Sequence, residues 1–577
     1  MGSVMTPRKK WWKGAVVYQI WPASFKDSDG DGLGDLKGIS EKLDYIRDLG
    51  ADVIWISPIF DSPQVDLGYD ISDYERIYAP YGTMADLENI IRGCHSKGLR
   101  ILLDLVINHT SDQHAWFRQS RSSRSSPQRD WYIWRPARYD GDGQRRPPNN
   151  WQSMFGGSAW EWDEHSQEYY LHLFSRGQPD VNWSNPMLRE AVYNSAIRFW
   201  LDKGIDGFRI DTMGLFAKDM SFTDAPETDP HSQFNHRPEN FLILNEIHDI
   251  LHEYGDLMTV GEFGGLSDTS TAMRYVSAAE SRVDMGFQFE TVCLGYALST
   301  FNVQPMDLRE FQRSFVKWQT FIEGTDGWTT MFLENHDLAR SVSRFTSDKP
   351  EHMVAAAKVL ALLQTTATGT LFVYQGQEIG MTNIPSDWPI EEYKDKSTQW
   401  YWESVLKESV HDPIAQEKAM DNIRKVARDH SRTPMQWTGG VNAGFTTSKA
   451  GPWMRINDNF TDINVERQLG DKDSVLSFWR KLLRLRKDHA DLLAYGDFLP
   501  IDAGDDSGLF CFQKTSVHGE ALVLLNLTAS QKPFRLPDHL DLSLFSLEIA
   551  TVSEIKDWDS LGPFEGRLYI AKGSCPV

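Results

Sequence analysis

Eight apolar, strand-like runs punctuate the first two-thirds of this 577-residue chain. They fall at 15–21, 52–57, 100–108, 207–212, 258–263, 284–290, 329–334 and 370–375, with helical patterns such as 39–49, 84–97 and 188–203 between most of them. Glycines stand where several of these helices should end (Gly50, Gly98, Gly204), as helix C-termini prefer. Strands alternating with helices must bury both sheet faces, and eight such units predict a (β/α)8 TIM barrel. An open doubly wound sheet is the alternative for the same alternation.

Two stretches break the rhythm. Residues 111–179 are rich in Trp, Arg, Ser, Pro and Asn and read as an irregular domain B inserted after strand 3. Residues 381–474 are polar and aromatic and read as an insertion after strand 8, followed by a basic helix at 475–489. Short strands from about 497 onward suggest a C-terminal antiparallel β-sandwich. The predicted organisation is barrel 1–110, domain B 111–179, barrel with its insertion 180–495, and sandwich 496–577.

Three of the strand-like runs end in carboxylates: Arg209-Ile210-Asp211, Val260-Gly261-Glu262 and Glu334-Asn335-His336-Asp337. A barrel presents such ends together at one face. Two carboxyl groups in different protonation states around one carbon are what glycosidic bond cleavage needs. Arg209 and Asp211, two apart on a strand, project to one side, so the guanidinium favours the ionised carboxylate expected of a nucleophile. Glu262 follows a glycine at the end of an apolar strand, where desolvation would raise its pKa toward that of a general acid. Asp104, Asn108 and His109 form a similar polar cluster, with His109 and His336 read as neutral donors to sugar hydroxyls. No tight metal-ligand spacing accompanies these strand ends, so metal catalysis is the weaker reading.

Charge excludes other classes. The 59 basic and 81 acidic residues give −22, which argues against nucleic-acid and anionic-membrane partners. No eighteen-residue apolar run suggests a membrane span, and no apolar stretch follows the basic N-terminus as a secretory signal would. Cys94, Cys293, Cys511 and Cys575 are scattered, which fits free thiols in a reducing, cytoplasmic compartment. Asp27, Asp29, Asp31 and Asp35, with the Leu33 carbonyl and Gly32 between them, follow an EF-hand loop through its ninth position. Gly38 stands where an EF-hand needs its Glu, so the expectation is a structural calcium loop of another kind, with no cofactor for catalysis.

Taken together, these segments resemble the α-amylase clan (family 13) of glycoside hydrolases, in its oligo-1,6-glucosidase/maltase branch. The likeness runs through Val17-Tyr18-Gln19-Ile20, Asp104 to His109, Gln178-Pro179-Asp180-Val181-Asn182-Trp183, Gly207 to Asp211, Gln375-Gly376-Gln377-Glu378 and Arg432-Thr433-Pro434-Met435-Gln436-Trp437. The resemblance implies Asp211 as nucleophile, Glu262 as acid/base and Asp337 as the third carboxylate, gripping the sugar's hydroxyls. It implies a glucose pocket from Asp66, Tyr69, His109, Phe155, Phe174, Arg209 and His336, with Arg432 pairing Asp66 to close its far end. Thr212, after the nucleophile, implies α-1,4 rather than α-1,6 preference in this branch. The implied enzyme is a fungal-type cytosolic maltase, monomeric or weakly self-associating, acting on maltose and short malto-oligosaccharides, with sucrose and turanose as further candidates. An isomaltase, a transglucosidase or a sucrose isomerase on the same scaffold is the alternative; the isomerases' Arg-Leu-Asp-Arg-Asp motif is absent from residues 338–345. A non-catalytic sugar sensor or transporter-associated subunit is more remote, because all three acids are present.

Overall fold

The computed structural model describes residues 10–296, 301–503 and 508–571. Cys575 and the first nine residues of the N-terminal stretch therefore lie outside the described residues. The eight predicted strands all form: β1 Val16–Ile20, β2 Val53–Ile56, β3 Arg100–Leu105, β4 Gly207–Ile210, β5 Met258–Phe263, β6 Met285–Gln288, β7 Thr330–Met331 and β8 Thr370–Tyr374. They lie in one parallel sheet in the order β6-β5-β4-β3-β2-β1-β8-β7. Between its two ends the Thr330 hydroxyl donates to the Gly286 carbonyl at 2.9 Å. The sheet is thus a nearly closed barrel. Its strands are buried almost throughout, as covered parallel strands must be.

The helices match their sequence signals with two differences. Residues 39–49 divide into Leu36–Glu41, which starts early because Asp35 caps it at Gly38 N, and Leu43–Leu49, with the break at Lys42, whose backbone leaves the helical region. In the helix beginning at Pro186, residues Tyr193–Arg198 form a π-helical turn. Gly50, Gly98 and Gly204 do close helices, with φ of 113°, 74° and 93°.

After β3 the chain leaves the barrel and builds a small antiparallel sheet from Trp134–Arg135, Glu168–Leu171 and Trp160–Asp163 around its own core of Trp151, Trp160 and Leu171. Asp180 ties this layer to the barrel. It accepts Leu173 N at 2.8 Å and Asn108 Nδ2 at 3.0 Å, and pairs with buried Lys218 at 2.7 Å. Beyond β8, the inserted segment carries helices α1 (Lys396–Glu408), α2 (Pro413–Val426) and α3 (Asp429–Arg432) over the barrel mouth. The C-terminal region is a five-stranded antiparallel sheet with a two-stranded ribbon, Lys532–Pro533 with Ser560–Leu561, sharing one apolar core. A Cβ at Gly566 would come within 2.9 Å of Leu362, so glycine there lets the sheet lie close on the helix Met353–Thr366.

Candidate active site

Three carboxylates converge at the C-terminal ends of the barrel strands, where such barrels carry their chemistry. Asp211 follows β4, Glu262 is the penultimate residue of β5, and Asp337 sits in the loop after β7. All three line one cavity of about 510 Å³, together with Asp66, Tyr69, His109, Phe155, Phe174 and Thr212. Glycine before Glu262 has a packing reason: a Cβ on Gly261 would lie 2.1 Å from Met213 Sδ.

Arg209 is the hub. It is 1% exposed, and its Nη1 donates to Asp211 Oδ1 at 2.7 Å and Asp104 Oδ1 at 2.5 Å, while Nη2 donates to Glu262 Oε1. A second bridge runs through Thr212, whose N–H reaches Glu262 Oε2 at 3.1 Å and whose hydroxyl reaches Asp211 Oδ2 at 3.2 Å. Thr212 does this from the left-handed region, at φ 43°, which is strained for a β-branched residue. Burial pushes the Glu262 carboxyl up to about 8, against the opposing pull of Arg209. Burial also raises Asp104 to about 7, again against Arg209.

Asp337 has the opposite balance. Burial acts to raise it, but His336, Arg428 and Arg432 outweigh burial and hold it well below the usual carboxylate range. Arg428 and Arg432 both donate to its Oδ1, at 3.0 and 2.9 Å. His336 is fully buried between the rings of Trp21 and Tyr69, and burial lowers its pKa to about 3. Gln19 Nε2–H donates to its Nδ1 at 2.8 Å, which places the ring proton on Nε2, toward Tyr69 Oη and Asp337 Oδ2. His109 is likewise kept neutral by burial, with its Nε2 3.1 Å from both the Tyr69 carbonyl and Gln178.

The pocket's far end differs from expectation. Arg432 does not pair with Asp66. Its guanidinium goes to Asp337 and Asp395, and its Nε to the His336 carbonyl. The cation beside Asp66 is Arg428, 3.6 Å away, which also contacts Asp337 and Asp395 and lies over the Phe155 ring. Gln178 holds Asp66 Oδ2 at 3.0 Å, and burial lifts that carboxyl to about 7. Arg428 lines the cavity, whereas Arg209, His336 and Arg432 sit behind the lining, each almost wholly buried. Arg428 was not singled out from sequence, and Gln178, quoted only within the 178–183 segment, was given no role there. The signal for the first was its i,i+4 spacing from Arg432, which puts both on one side of α3 and its cap. Phe263, Gly264 and Gly265 line the cavity beyond Glu262, and a Cβ on Gly264 would meet nothing within 4 Å.

The acidic loop lies apart from this cavity. Carboxylate oxygens of Asp27, Asp29 and Asp35 come within 4.8 Å of one another. Asp31, read from its spacing as a ligand, accepts Leu33 N at 2.7 Å and falls outside that group. Asp27 accepts the amides of Asp29, Gly30 and Gly32 and the Thr446 hydroxyl, and Asp35 accepts Ser28 N and Gly38 N. These donors offset much of the repulsion that would otherwise demand a cation. The all-oxygen donor set is nonetheless of the kind a hard divalent ion takes.

Residues 19–496 match the family described as "Alpha amylase, catalytic domain". The chain belongs to the α-amylase family. It is a glycoside hydrolase, and catalysis in this family needs no cofactor. The protein is 49% identical over 573 residues to an α-glucosidase of Candida albicans, covering 97% of this chain and 99% of that one. It is 42% identical over 584 residues to an oligo-1,6-glucosidase of Saccharomyces cerevisiae, covering 98% of each. Among solved structures, the trehalulose synthase of Pseudomonas mesoacidophila superposes with a TM-score of 0.91 at 37% identity, over 98% of this chain and 100% of that one. Among the described residues, no helix is long and apolar enough to cross a membrane.

Proposed function

We propose that the protein is a retaining, exo-acting α-glucosidase that releases terminal α-1,4-linked glucose from maltose and short malto-oligosaccharides. One observation carries the reading. A single guanidinium and a single threonine each bridge Asp211 and Glu262, so the two carboxyls lie side by side, and burial keeps the second protonated near neutrality. Retention needs such a close pair, about 5–5.5 Å apart.

In the first step an Asp211 oxygen bonds to the anomeric carbon as the bond to the leaving oxygen breaks, and Glu262 gives that oxygen its proton. In the second, water passes a proton to Glu262 and attacks the same carbon, releasing Asp211 and glucose. Asp337, fixed by two arginines, accepts from the sugar's hydroxyls. Neutral His109 lines the cavity beside the same ring, with its single N–H facing the Tyr69 carbonyl, and buried Arg209 and His336 hold the carboxylates in place. Asp66, Tyr69, Phe155 and Phe174 bound the glucose at its non-reducing end. Arg428, which lines the cavity beside Asp66, shuts that end, which favours exo cleavage of short chains. Thr212 supports α-1,4 selectivity, with sucrose and turanose as further substrates.

The acidic loop of Asp27, Asp29 and Asp35 is assigned to structural calcium. The strongly negative net charge and the scattered thiols fit a cytoplasmic enzyme of small sugars, monomeric or weakly associating. Initial glucose release from maltose, isomaltose, sucrose and soluble starch tests the reading, with Asp211→Asn as control. Maltose well above isomaltose, with starch nearly inert, is expected. Isomaltose equal or better would make the enzyme an oligo-1,6-glucosidase, disaccharide isomers instead of glucose would make it an isomerase, and full activity in Asp211→Asn would sink the catalytic assignment.

A further inference from the structure

Between α1 and α3, outside the cavity lining, lies a buried carboxylate with no part in the chemistry above. Asp395 is 1% exposed. Its Oδ2 receives Arg432 Nη1 at 2.7 Å and Arg428 Nη2 at 3.0 Å. Its Oδ1 accepts Ser397 N at 3.0 Å and Thr398 N at 3.4 Å, capping α1, along with the Ser397 hydroxyl. Arg428 Nη2 also reaches Oδ1, at 3.3 Å, so the one carboxylate both caps the helix and takes up two guanidinium groups. Those same groups reach forward to Asp337 Oδ1, and one of them faces Asp66.

The connection is stapled in both directions. Asp429, adjacent to Arg428, accepts Lys394 N at 2.5 Å, Asp395 N at 2.8 Å and the Thr398 hydroxyl at 2.9 Å. Three carboxylates (Asp66, Asp337, Asp395) therefore share two guanidinium groups. Among the described residues, Asp395 is the one carboxylate ion-paired with these arginines that opposes their pull toward Asp337 and Asp66, the two carboxylates that face the sugar. Arg428 and Arg432 outweigh the effect of burial and hold Asp395 below the usual carboxylate range, so the anchor is charged at neutral pH.

We propose that Asp395 is a positioning residue of the glucose pocket: from the cap of α1 it holds Arg428 and Arg432 back, and so fixes the Asp337 carboxylate for sugar binding. This rests on the α-glucosidase reading. It differs from a plain helix-capping role in a way chemistry can separate, because asparagine caps a helix as well as aspartate does but carries no charge for the arginines.

The experiment compares wild type with Asp395→Asn for kcat and KM on maltose, for competitive inhibition by glucose, and for thermal unfolding. Expected is a rise in the maltose KM and the glucose Ki by the same factor, about 10- to 100-fold, with kcat within about threefold and cooperative unfolding retained. Unchanged KM and Ki in the folded variant would reduce Asp395 to a helix cap and overturn the proposal. A fall in kcat alone would do so too. If the Asn variant does not fold, Asp395→Glu keeps the charge but pushes the arginines forward by one methylene. The same paired rise is expected there, and unchanged constants refute the idea. Wild-type enzyme that released no glucose from maltose would instead overturn the underlying function.

Discussion

Replacing Thr212 by valine probes how one side chain couples the two proposed catalytic carboxyls to linkage choice. Valine keeps the β-branch and nearly the same volume, so the strain of φ 43°, of order 1–3 kcal/mol, is carried over. What disappears is the hydroxyl that donates to Asp211 Oδ2 at 3.2 Å. Hydrogen bonds to charged groups contribute about 1.5–3 kcal/mol net, and a contact this long belongs at the low end. About 1.5 kcal/mol corresponds to roughly tenfold, so kcat/KM on maltose should fall by about that factor. Thr212 lines the cavity, and in the proposed mechanism a methyl in the hydroxyl's place would meet the leaving sugar, where a change of this kind shifts selectivity by about 1–3 kcal/mol. The isomaltose-to-maltose ratio of kcat/KM should therefore rise at least about fivefold. Initial rates on both disaccharides, measured for wild type, Thr212→Val and Thr212→Gly, decide the matter. Glycine tolerates positive φ, so that variant should unfold at a higher temperature while losing the same hydroxyl. An unchanged ratio in a folded valine variant would refute the argument, and the open wall at Phe263 and Gly264 would become the selector instead.

Other consequences follow from the charges and the metal loop. Glu262 must be protonated to act as the acid. Its pKa is raised to about 8, so kcat/KM should fall as pH rises through about 8, while ionised Asp66, near 7, should make binding weaken below neutrality. A profile flat from pH 7 to 10 would contradict the Glu262 assignment. Lys218→Met strands the Asp180 carboxylate inside the protein and should cost about 3–5 kcal/mol of stability in denaturant unfolding, since a broken buried pair leaves an uncompensated charge. Proteolysis should then cut residues 111–179 first. If calcium occupies the acidic loop, chelation should lower the unfolding temperature without changing kcat, by about 2.7 kcal/mol of stability for a site held at 100-fold its Kd. Asp27→Asn should abolish that response, and a melting curve indifferent to calcium would exclude the site.

The chain's periodicity determined a great deal by itself. Every barrel strand was legible because parallel strands buried on both faces must be runs of apolar residues, and that is a local property. Asp211, Glu262 and Asp337 were legible for a related reason: each stands at or just beyond the end of such a run, and barrel closure brings strand ends to one rim whatever the loops do. The packing of the 381–474 segment over that rim was not local. Arg428 and Arg432 stand one helical turn apart, and nothing in their neighbourhood says which meets Asp66. The answer depends on how α1 and α3 lie across the mouth, with Asp395 drawing both guanidinium groups to its own side. The rise in the Glu262 pKa was expected from its place at the end of an apolar strand, but the left-handed backbone of Thr212 was not legible, since such strain arises only when distant strands close around a residue. Sequence supplied the acids and the barrel that carries them. Tertiary packing decided which charges touch, because Coulomb interactions and desolvation are set by distances between segments tens to hundreds of residues apart.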